Sequence, residues 1–597
     1  MSPVNPQQNA LSHEVWAAKY RYRGETSIAD TWRRVAAAVA ATESRDQQRW
    51  TEAFHRLMAD FRFLPGGRIL AGAGTDRDVT LFNCFVMGPI NDSLEGIFDS
   101  LKAGAVTMQK GGGIGYDFST LRPAGTPVRG TDSIASGPLS FMRIWDAMCA
   151  TMMSTGARRG AMMATLRCDH PDIETFINAK RDPSALRNFN LSVQVTDDFI
   201  AAVQADRDWS LVFPVADDEP DGPVVQRCWS DTRGMVACRV ARVIPARALW
   251  EQLQRAAYEV AEPGVLFIDR INRENNLWYR EQITATNPCG EIPLPPYGAC
   301  NLGSLNLARF IDKAFTPSAR IDMESLETTA RVAVRFLDNV IEISRYPLPQ
   351  QAMAALETRR LGLGITGLAD ALTMLGHRYD SSNAREAAGR IMQTICYAAY
   401  RASVELAEER GPFPQFDANP YLQGPFLQRL PADIRAGIAR SGIRNSHLLA
   451  IAPAGTISLL ANNVSSGIEP IFAMEFDRQV LGPDGQHHTY RIRDAAWDSW
   501  QQEHPGAAPP AEFVAASGVS PRAQLAMQAA LQPWVDNAIS KTVSVPASCD
   551  FETFSGLYDE SYKLALKGCT VFRPNPVTDS VLSQPPAHCC DIDREAD

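Results

Sequence analysis

The stretch from Ala285 to Leu307, ATNPCGEIPLPPYGACNLGSLNL, limits what this chain can fold into more than any other segment. Proline lacks a backbone donor and clashes with the preceding helical turn, so Pro288, Pro293, Pro295 and Pro296 forbid a helix here. The expectation is an extended chain, in which side chains two positions apart point the same way. Asn287, Cys289 and Glu291 would then aim an amide, a thiol and a carboxylate at one target, and a second thiol, Cys300, follows a Pro/Gly-rich turn. A proline-stiffened loop with two buried cysteines accounts for either cysteine alone, because a free cysteine packs like a small apolar residue. It accounts poorly for the whole constellation.

Composition narrows the class without choosing it. The chain has 597 residues, enough for several average domains or one large α/β body. Its 45% hydrophobic and 21% charged content is that of a soluble globular protein. A formal net charge of −10 argues against a nucleic-acid-coating surface, so phosphate groups must be bound locally. Nucleotides as small molecules remain admissible. The start, MSPVNPQQNALSHEVW, has no basic segment followed by an apolar core, and no apolar run approaches a membrane span, which predicts a cytoplasmic protein without membrane contact. The twelve cysteines form no C-x-x-C pair, which disfavours a zinc ribbon or disulfide framework, and no metal site is expected.

The NPCGE pentapeptide, with the further cysteine in GACNLGSLNL, resembles the finger loop of the ribonucleotide reductase large subunit. The resemblance implies that Cys289 carries a transient thiyl radical that takes the 3′ hydrogen of the ribose. It makes Glu291 the base on the 3′-OH and has Asn287 hydrogen-bond the ribose hydroxyls. Cys84, in the apolar, strand-length run Leu81 to Met87, matches the cysteine that faces Cys300, and this pair would supply the electrons that replace the 2′-OH. Bridging requires Cα atoms within roughly 4.4–6.8 Å. Asn83, beside Cys84, is assigned to the substrate.

Other motifs fall in the family's order. Residues 11 to 60 carry apolar positions at helical spacing and predict three helices; the segment is too short for the ATP-binding cone that many members carry. Asp92 or Ser93 is expected to cap a helix opening after Asn91. Gly111, Gly112, Gly113 and Gly115 allow close backbone approach to a ligand, and the resemblance places Gly112 and Gly113 at the substrate. It places Asp92, Ser93, Leu94, Arg122 and Val128 at a regulatory nucleotide site, and makes Gly156, Arg158, Arg159 and Gly160 a specificity loop. Pro453, Ala454, Gly455, Thr456 and Ile457 follow an apolar run, Leu448 to Ile451, and can open a helix whose free N–H groups face an anion; the family's substrate phosphates lie there. Long helices are expected at Leu326 to Ile343 and Glu386 to Arg410. Gly362 to Gly367 is a literal G-x-G-x-x-G, but the dinucleotide fingerprint needs a buried strand before it, and Glu357-Thr358-Arg359-Arg360 is polar. It is read as a close-packing turn.

The resemblance extends from about Leu64 to Pro576 and implies an α/β fold, a ten-stranded barrel of two parallel five-stranded halves around a central finger loop. Residues 1–63 would form a helical region, 64–576 the barrel, and 577–597 a flexible tail in which Cys589 and Cys590 form a redox shuttle. At Gly568 to Arg573 the chain reads GCTVFR, without the adjacent tyrosines that relay a radical from a second subunit. This form resembles the adenosylcobalamin-dependent class, with no protein ligand to cobalt because no D-x-H-x-x-G motif occurs. Implied partners are a ribonucleotide, expected as the diphosphate, deoxynucleotide or ATP effectors, thioredoxin or glutaredoxin as reductant, and a second copy in a homodimer. No second radical-generating subunit and no nucleic acid are expected. Two rival readings are a dinucleotide- or flavin-dependent oxidoreductase built on Gly362 to Gly367, and a catalytically silent regulatory paralogue.

Overall fold

The computed structural model describes residues 9–128, 133–154, 158–159, 161–215, 222–230, 232, 234–481 and 487–574. The fold is mixed α/β, with a large sheet and an N-terminal helical region. It divides into two compact units, one from residues 1–84 and 299–541, the other from 85–298 and 542–574 of the described chain. No helix among the described residues is long and apolar enough to cross a membrane.

In the first unit, the helices Ala10–Val15, Ile28–Ala40 and Gln47–Met58 realise the helical periodicity of the N-terminal region. Ser27 and Asp30 form a capping box at the start of the second, whose Trp32, Val35, Ala36 and Val39 are buried. Phe54 and Phe63 pack edge-on against Phe336 of the long helix Met323–Ile343. That helix and Ser382–Arg410 are the two long helices of the unit, each starting a few residues earlier than its apolar spacing indicates.

The unit's parallel strands begin with Ala299–Asn306 beside Leu361–Thr366, in register Asn301 to Leu361 through Asn306 to Thr366. Parallel bridges Leu363 to Leu449 and Ile451 to Ile539 continue the run, and Phe63–Pro65 lies antiparallel on the other side of Ala299–Asn306. The glycine motif is therefore a strand, not the expected turn. A Cβ at Gly362 would lie 2.5 Å from Leu302 Cδ2, and one at Gly364 would lie 2.3 Å from Ala450 O. The glycines let neighbouring strands close on both sides. Only Gly367, at φ 69°, makes the strand-to-helix turn, so no glycine-rich loop is left to cradle a pyrophosphate. Polar Arg359, which argued against a buried strand, ends the preceding helix and is itself buried against Asp338 at 2.8 Å.

In the second unit, Gly113–Asp117, Met162–Arg167, Phe189–Val195 and Gly264–Phe267 run parallel in that order. Met162–Arg167 is buried at every position, as expected for a strand covered on both faces. Gly568–Phe572 lies antiparallel to Gly264–Phe267, and Thr542–Ser544 runs parallel to Gly568–Phe572. A separate three-stranded sheet is formed by Asp208–Pro214, Met235–Pro245 and Val224–Cys228.

Candidate active site

The proline-rich stretch is a short hairpin, with Ala285–Thr286 antiparallel to Pro293–Leu294. The extended reading of Asn287 to Glu291 is corrected here. Gly290 adopts φ 84°, Gly290 N–H donates to Asn287 O at 3.1 Å, and Asn287 N–H donates to Ile292 O at 3.3 Å. Positive φ costs glycine nothing, so the chain reverses between the prolines instead of running straight through them. Asn287 and Glu291 meet across the turn rather than along a strand. Asn287 Nδ2 donates to Glu291 Oε1 at 2.8 Å, while Asn287 Oδ1 accepts Ile292 N–H at 3.0 Å and Thr286 Oγ1–H at 3.1 Å. Both side chains are buried, and Cys289 at the tip is half-buried.

Residues that sequence reading did not single out hold this hairpin in place. Asn190 Nδ2 donates to Pro288 O at 2.8 Å, beside the thiol. At the base, Gln194 Nε2 donates to Thr284 O at 2.6 Å and Thr165 Oγ1 to the same oxygen at 3.0 Å. Asn272 brackets Ile283, accepting its N–H at 2.8 Å and donating to its carbonyl at 2.8 Å. The available signal was a run of polar residues in otherwise apolar parallel strands, such as Gln194 in Phe189–Val195.

Two glycines of the run after Lys110 pack closely against other parts of the protein. A Cβ at Gly115 would lie 1.9 Å from Thr286 O, and one at Gly112 would lie 2.6 Å from the Phe85 ring. Close approach is real at both positions: the hairpin lies against Gly115 and a core aromatic against Gly112.

Cys84 and Cys300 belong to the other unit, on the strands Cys84–Val86 and Ala299–Asn306, and both are buried. Asn83 is also buried, and neither polar atom of its amide has a hydrogen-bond partner among the described residues. Gly66 makes room for it, since a Cβ there would lie 2.8 Å from Asn83 Oδ1. Cys149 and Cys168 are thiols of another kind, pushed up to about 12 chiefly by burial; such groups stay protonated and inert.

The Leu448 to Ile451 run leads, through Pro453 and Ala454, into the helix Gly455–Leu460, which has no side-chain cap at its start. Ala454 N–H is taken by Ser466 Oγ at 2.8 Å, and Thr456 is buried. Of the effector residues, Ser93 rather than Asp92 caps the helix Leu94–Gln109, accepting Gly96 N–H at 3.1 Å. Asp92 instead pairs with Arg122, Nε to Oδ2 at 2.6 Å. Val128 N–H donates to Ser133 O at 2.9 Å. Arg158 and Arg159 pair with Ser154 and Met153 in a short antiparallel ladder. Gly156, Gly160, Cys589 and Cys590 lie outside the described residues.

Comparison with known proteins matches residues 82–572 to the ribonucleotide reductase barrel domain and residues 7–78 to the ribonucleotide reductase all-alpha domain. The chain is 41% identical over 570 residues to a vitamin B12-dependent ribonucleoside-diphosphate reductase of Mycobacterium tuberculosis, covering 92% of this chain and 75% of that one. A protein of the same description from Thermoplasma acidophilum is 35% identical over 549 residues, covering 89% of this chain and 66% of that one. The ribonucleoside-diphosphate reductase large subunit of Caenorhabditis elegans is 30% identical over 458 residues, covering 72% and 57%.

Proposed function

The chain belongs to the ribonucleotide reductase large-subunit family, and from that premise we propose that it reduces ribonucleoside diphosphates to their 2′-deoxy forms with a vitamin B12 cofactor. The observation that carries the reading is the hairpin tip, where a half-buried thiol stands beside a buried carboxylate oriented by an amide. The rival dinucleotide reading loses its motif to a buried strand.

The tip suits the cofactor. Nothing lies within 4 Å of the position a Cβ would take at Gly290, so the turn is open at the residue after Cys289. When bound, adenosylcobalamin supplies the one-electron oxidising equivalent that turns this thiol into a thiyl. Cys289 then takes the 3′ hydrogen atom of the ribose, and Glu291 accepts the 3′-OH proton, a role typically worth about 10²–10⁴ in rate. Asn287 holds the Glu291 carboxylate in place through its Nδ2 donor and faces the ribose hydroxyls. Cys84 and Cys300 give two electrons and two protons, becoming a disulfide as the 2′-OH leaves as water, and Cys289 returns its hydrogen atom to C3′. The sum is ribonucleotide plus dithiol to deoxyribonucleotide, disulfide and water.

The finer architecture in this proposal is a ten-stranded barrel with the hairpin at its centre, supported by a parallel run of strands inside each unit. Asn83 and the segment Pro453 to Ile457 bind substrate; the buried Asn83 amide gains its partners there. Gly112 and Gly113 border it. Asp92, Ser93, Leu94, Arg122 and Val128 take a deoxynucleotide or ATP effector, read out by the Gly156 to Gly160 loop. Leu94 and Phe98 are 66% and 50% exposed on the helix that starts at this site, which supports a homodimer contact there. Cys589 and Cys590 pass electrons inward from thioredoxin or glutaredoxin by thiol–disulfide exchange. The test is CDP reduction with and without adenosylcobalamin and no second subunit. Corrin-independent turnover driven by a metal-containing partner would overturn the proposal.

A further inference from the structure

The loop Ser465 to Gly467 braces the segment assigned to the substrate's phosphates. Ser466 Oγ accepts Ala454 N–H at 2.8 Å, and a Cβ on Gly467 would sit 2.9 Å from Ala452 O. On its far side Thr366 Oγ1 donates to Ser465 O at 2.9 Å and accepts Gly467 N–H at 3.2 Å, while Ser465 Oγ accepts Ala369 N–H at 3.2 Å.

Behind this loop lie two carboxyls in a dry interior, Asp370 at 0% and Asp494 at 3% exposure. Asp370 Oδ2 accepts Ser465 N–H at 2.6 Å and its Oδ1 accepts Ala496 N–H at 3.0 Å. Asp494 Oδ1 accepts the same Ala496 N–H at 3.1 Å and Trp497 N–H at 3.1 Å. The two Oδ1 atoms therefore meet on one N–H. Among the described residues no basic side chain pairs with either. Of the charged groups on the elements packed around them, Arg309 on the turn Leu307–Phe310 faces Asp60 and Arg62, and the arginines beside Asp494 are engaged elsewhere. Arg493 is held by Glu475 at 3.0 Å and Asp498 at 3.6 Å, and Arg491 by Glu475 at 2.9 Å. Two adjoining carboxylates in such a place do not both ionise at neutral pH. Asp370 uses both oxygens to accept backbone N–H groups, whereas Asp494 uses one, which leaves Asp494 Oδ2 to carry the proton and donate it to Asp370. Burial raises both groups above the usual carboxylate range, and the Asp370 charge raises Asp494 further.

We propose that Asp370 and Asp494 act as a one-proton pair that positions Ser465 to Gly467 and, through Ser466, the segment Pro453 to Thr456 for the substrate's phosphates. The inference rests on reading that segment as the phosphate site. With its proton the pair carries one negative charge, matched by three backbone N–H donors. When that proton goes to solvent, two buried charges repel, the Ser465 contact loosens, and substrate binding weakens while the radical chemistry at Cys289 is untouched.

Asparagine at 494 keeps an acceptor for Ala496 and Trp497 and replaces the O–H donor with an N–H that does not titrate. Asparagine at 370 turns a donor toward the N–H of Ser465 or Ala496. The experiment measures kcat and KM for CDP with the full-length holoenzyme across pH. Amide hydrogen exchange of the peptide containing Ser465, corrected for intrinsic rate, is followed in parallel. Wild type should show KM rising and protection falling at alkaline pH with kcat nearly level. Asp494→Asn should hold both level, and Asp370→Asn should show a KM raised about tenfold at every pH. If Asp494→Asn keeps the alkaline rise and the loss of protection, or if wild-type protection does not change with pH, the pair is not the device, whether or not Asp370→Asn folds. Thr456→Val separates the underlying reading. A KM unchanged by that substitution removes the phosphate assignment and leaves the pair to be decided by exchange alone.

Discussion

Alanine at Gly115 would put a methyl group 1.9 Å from the Thr286 carbonyl oxygen, where Cβ atoms in proteins keep at least 3.0 Å. Something must then move by about 1.1 Å. Gly115 is poorly placed to yield. Its strand is registered on Met162–Arg167, with Gly115 opposite Met163, and its carbonyl accepts Met87 N–H at 2.9 Å. Thr286 belongs to a two-residue arm of the hairpin, and the next residue is Asn287. The displacement is therefore passed to the turn that carries Cys289 and Glu291. A misplacement of about 1 Å at reacting groups can cost on the order of 100-fold in rate, and overpacking of this kind typically costs about 1–3 kcal/mol of stability. For Gly115→Ala we expect kcat for CDP reduction with adenosylcobalamin to fall about 100-fold, with a smaller change in KM and a lowered but cooperative melting transition. A folded variant with kcat within about twofold of wild type would refute the reasoning, because the hairpin would then tolerate a shift that the mechanism forbids.

Cys289→Ser should abolish turnover while leaving nucleotide binding nearly intact, since a hydroxyl is isosteric but gives no comparable radical; equilibrium binding of CDP beside the reduction assay checks this. Glu43 is buried, and hydrogen bonds from Arg335, Asn339 and Arg410 outweigh burial, which acts in the opposite direction, to hold its carboxyl down to about 2. A depressed carboxylate adds stability above its unfolded value and loses it as pH falls toward the folded one. Wild-type stability should therefore decline from about pH 5 toward pH 2, and Glu43→Gln should be roughly 3 kcal/mol less stable at neutral pH with a flatter acid limb, read by denaturant melts. Arg122→Gln, which removes the Asp92 partner at the proposed effector site, should blunt the change in CDP-to-ADP preference caused by dATP, dGTP and dTTP. Unaltered effector responses would place the regulatory site elsewhere.

Local sequence determined where this chain forms helices and where it does not. Prolines excluded a helix around Cys289, apolar spacing marked the long helices, and the Asp92-Ser93 pair announced a cap, because each of these effects acts within a few residues of its cause. The shape of the hairpin was not legible in the same way. Alternation alone aimed Asn287, Cys289 and Glu291 in one direction, whereas Gly290 at φ 84° and the Asn287–Ile292 contact fold them into a turn. Nor could composition say why glycine recurs at 112, 115, 362 and 364. The reason is a neighbour distant in the chain, respectively Phe85, Thr286, Leu302 and Ala450, pressing on a backbone that has no space for a Cβ. The residues that clamp the hairpin, Asn190, Gln194, Thr165 and Asn272, are ordinary polar residues until two strands and a helix bring them to one backbone. Asp370 and Asp494 likewise read as unrelated acids until tertiary packing removes water from both and sets them against the same Ala496 N–H. Desolvation and close approach depend on what surrounds a residue from every side, and only the folded chain supplies that surrounding.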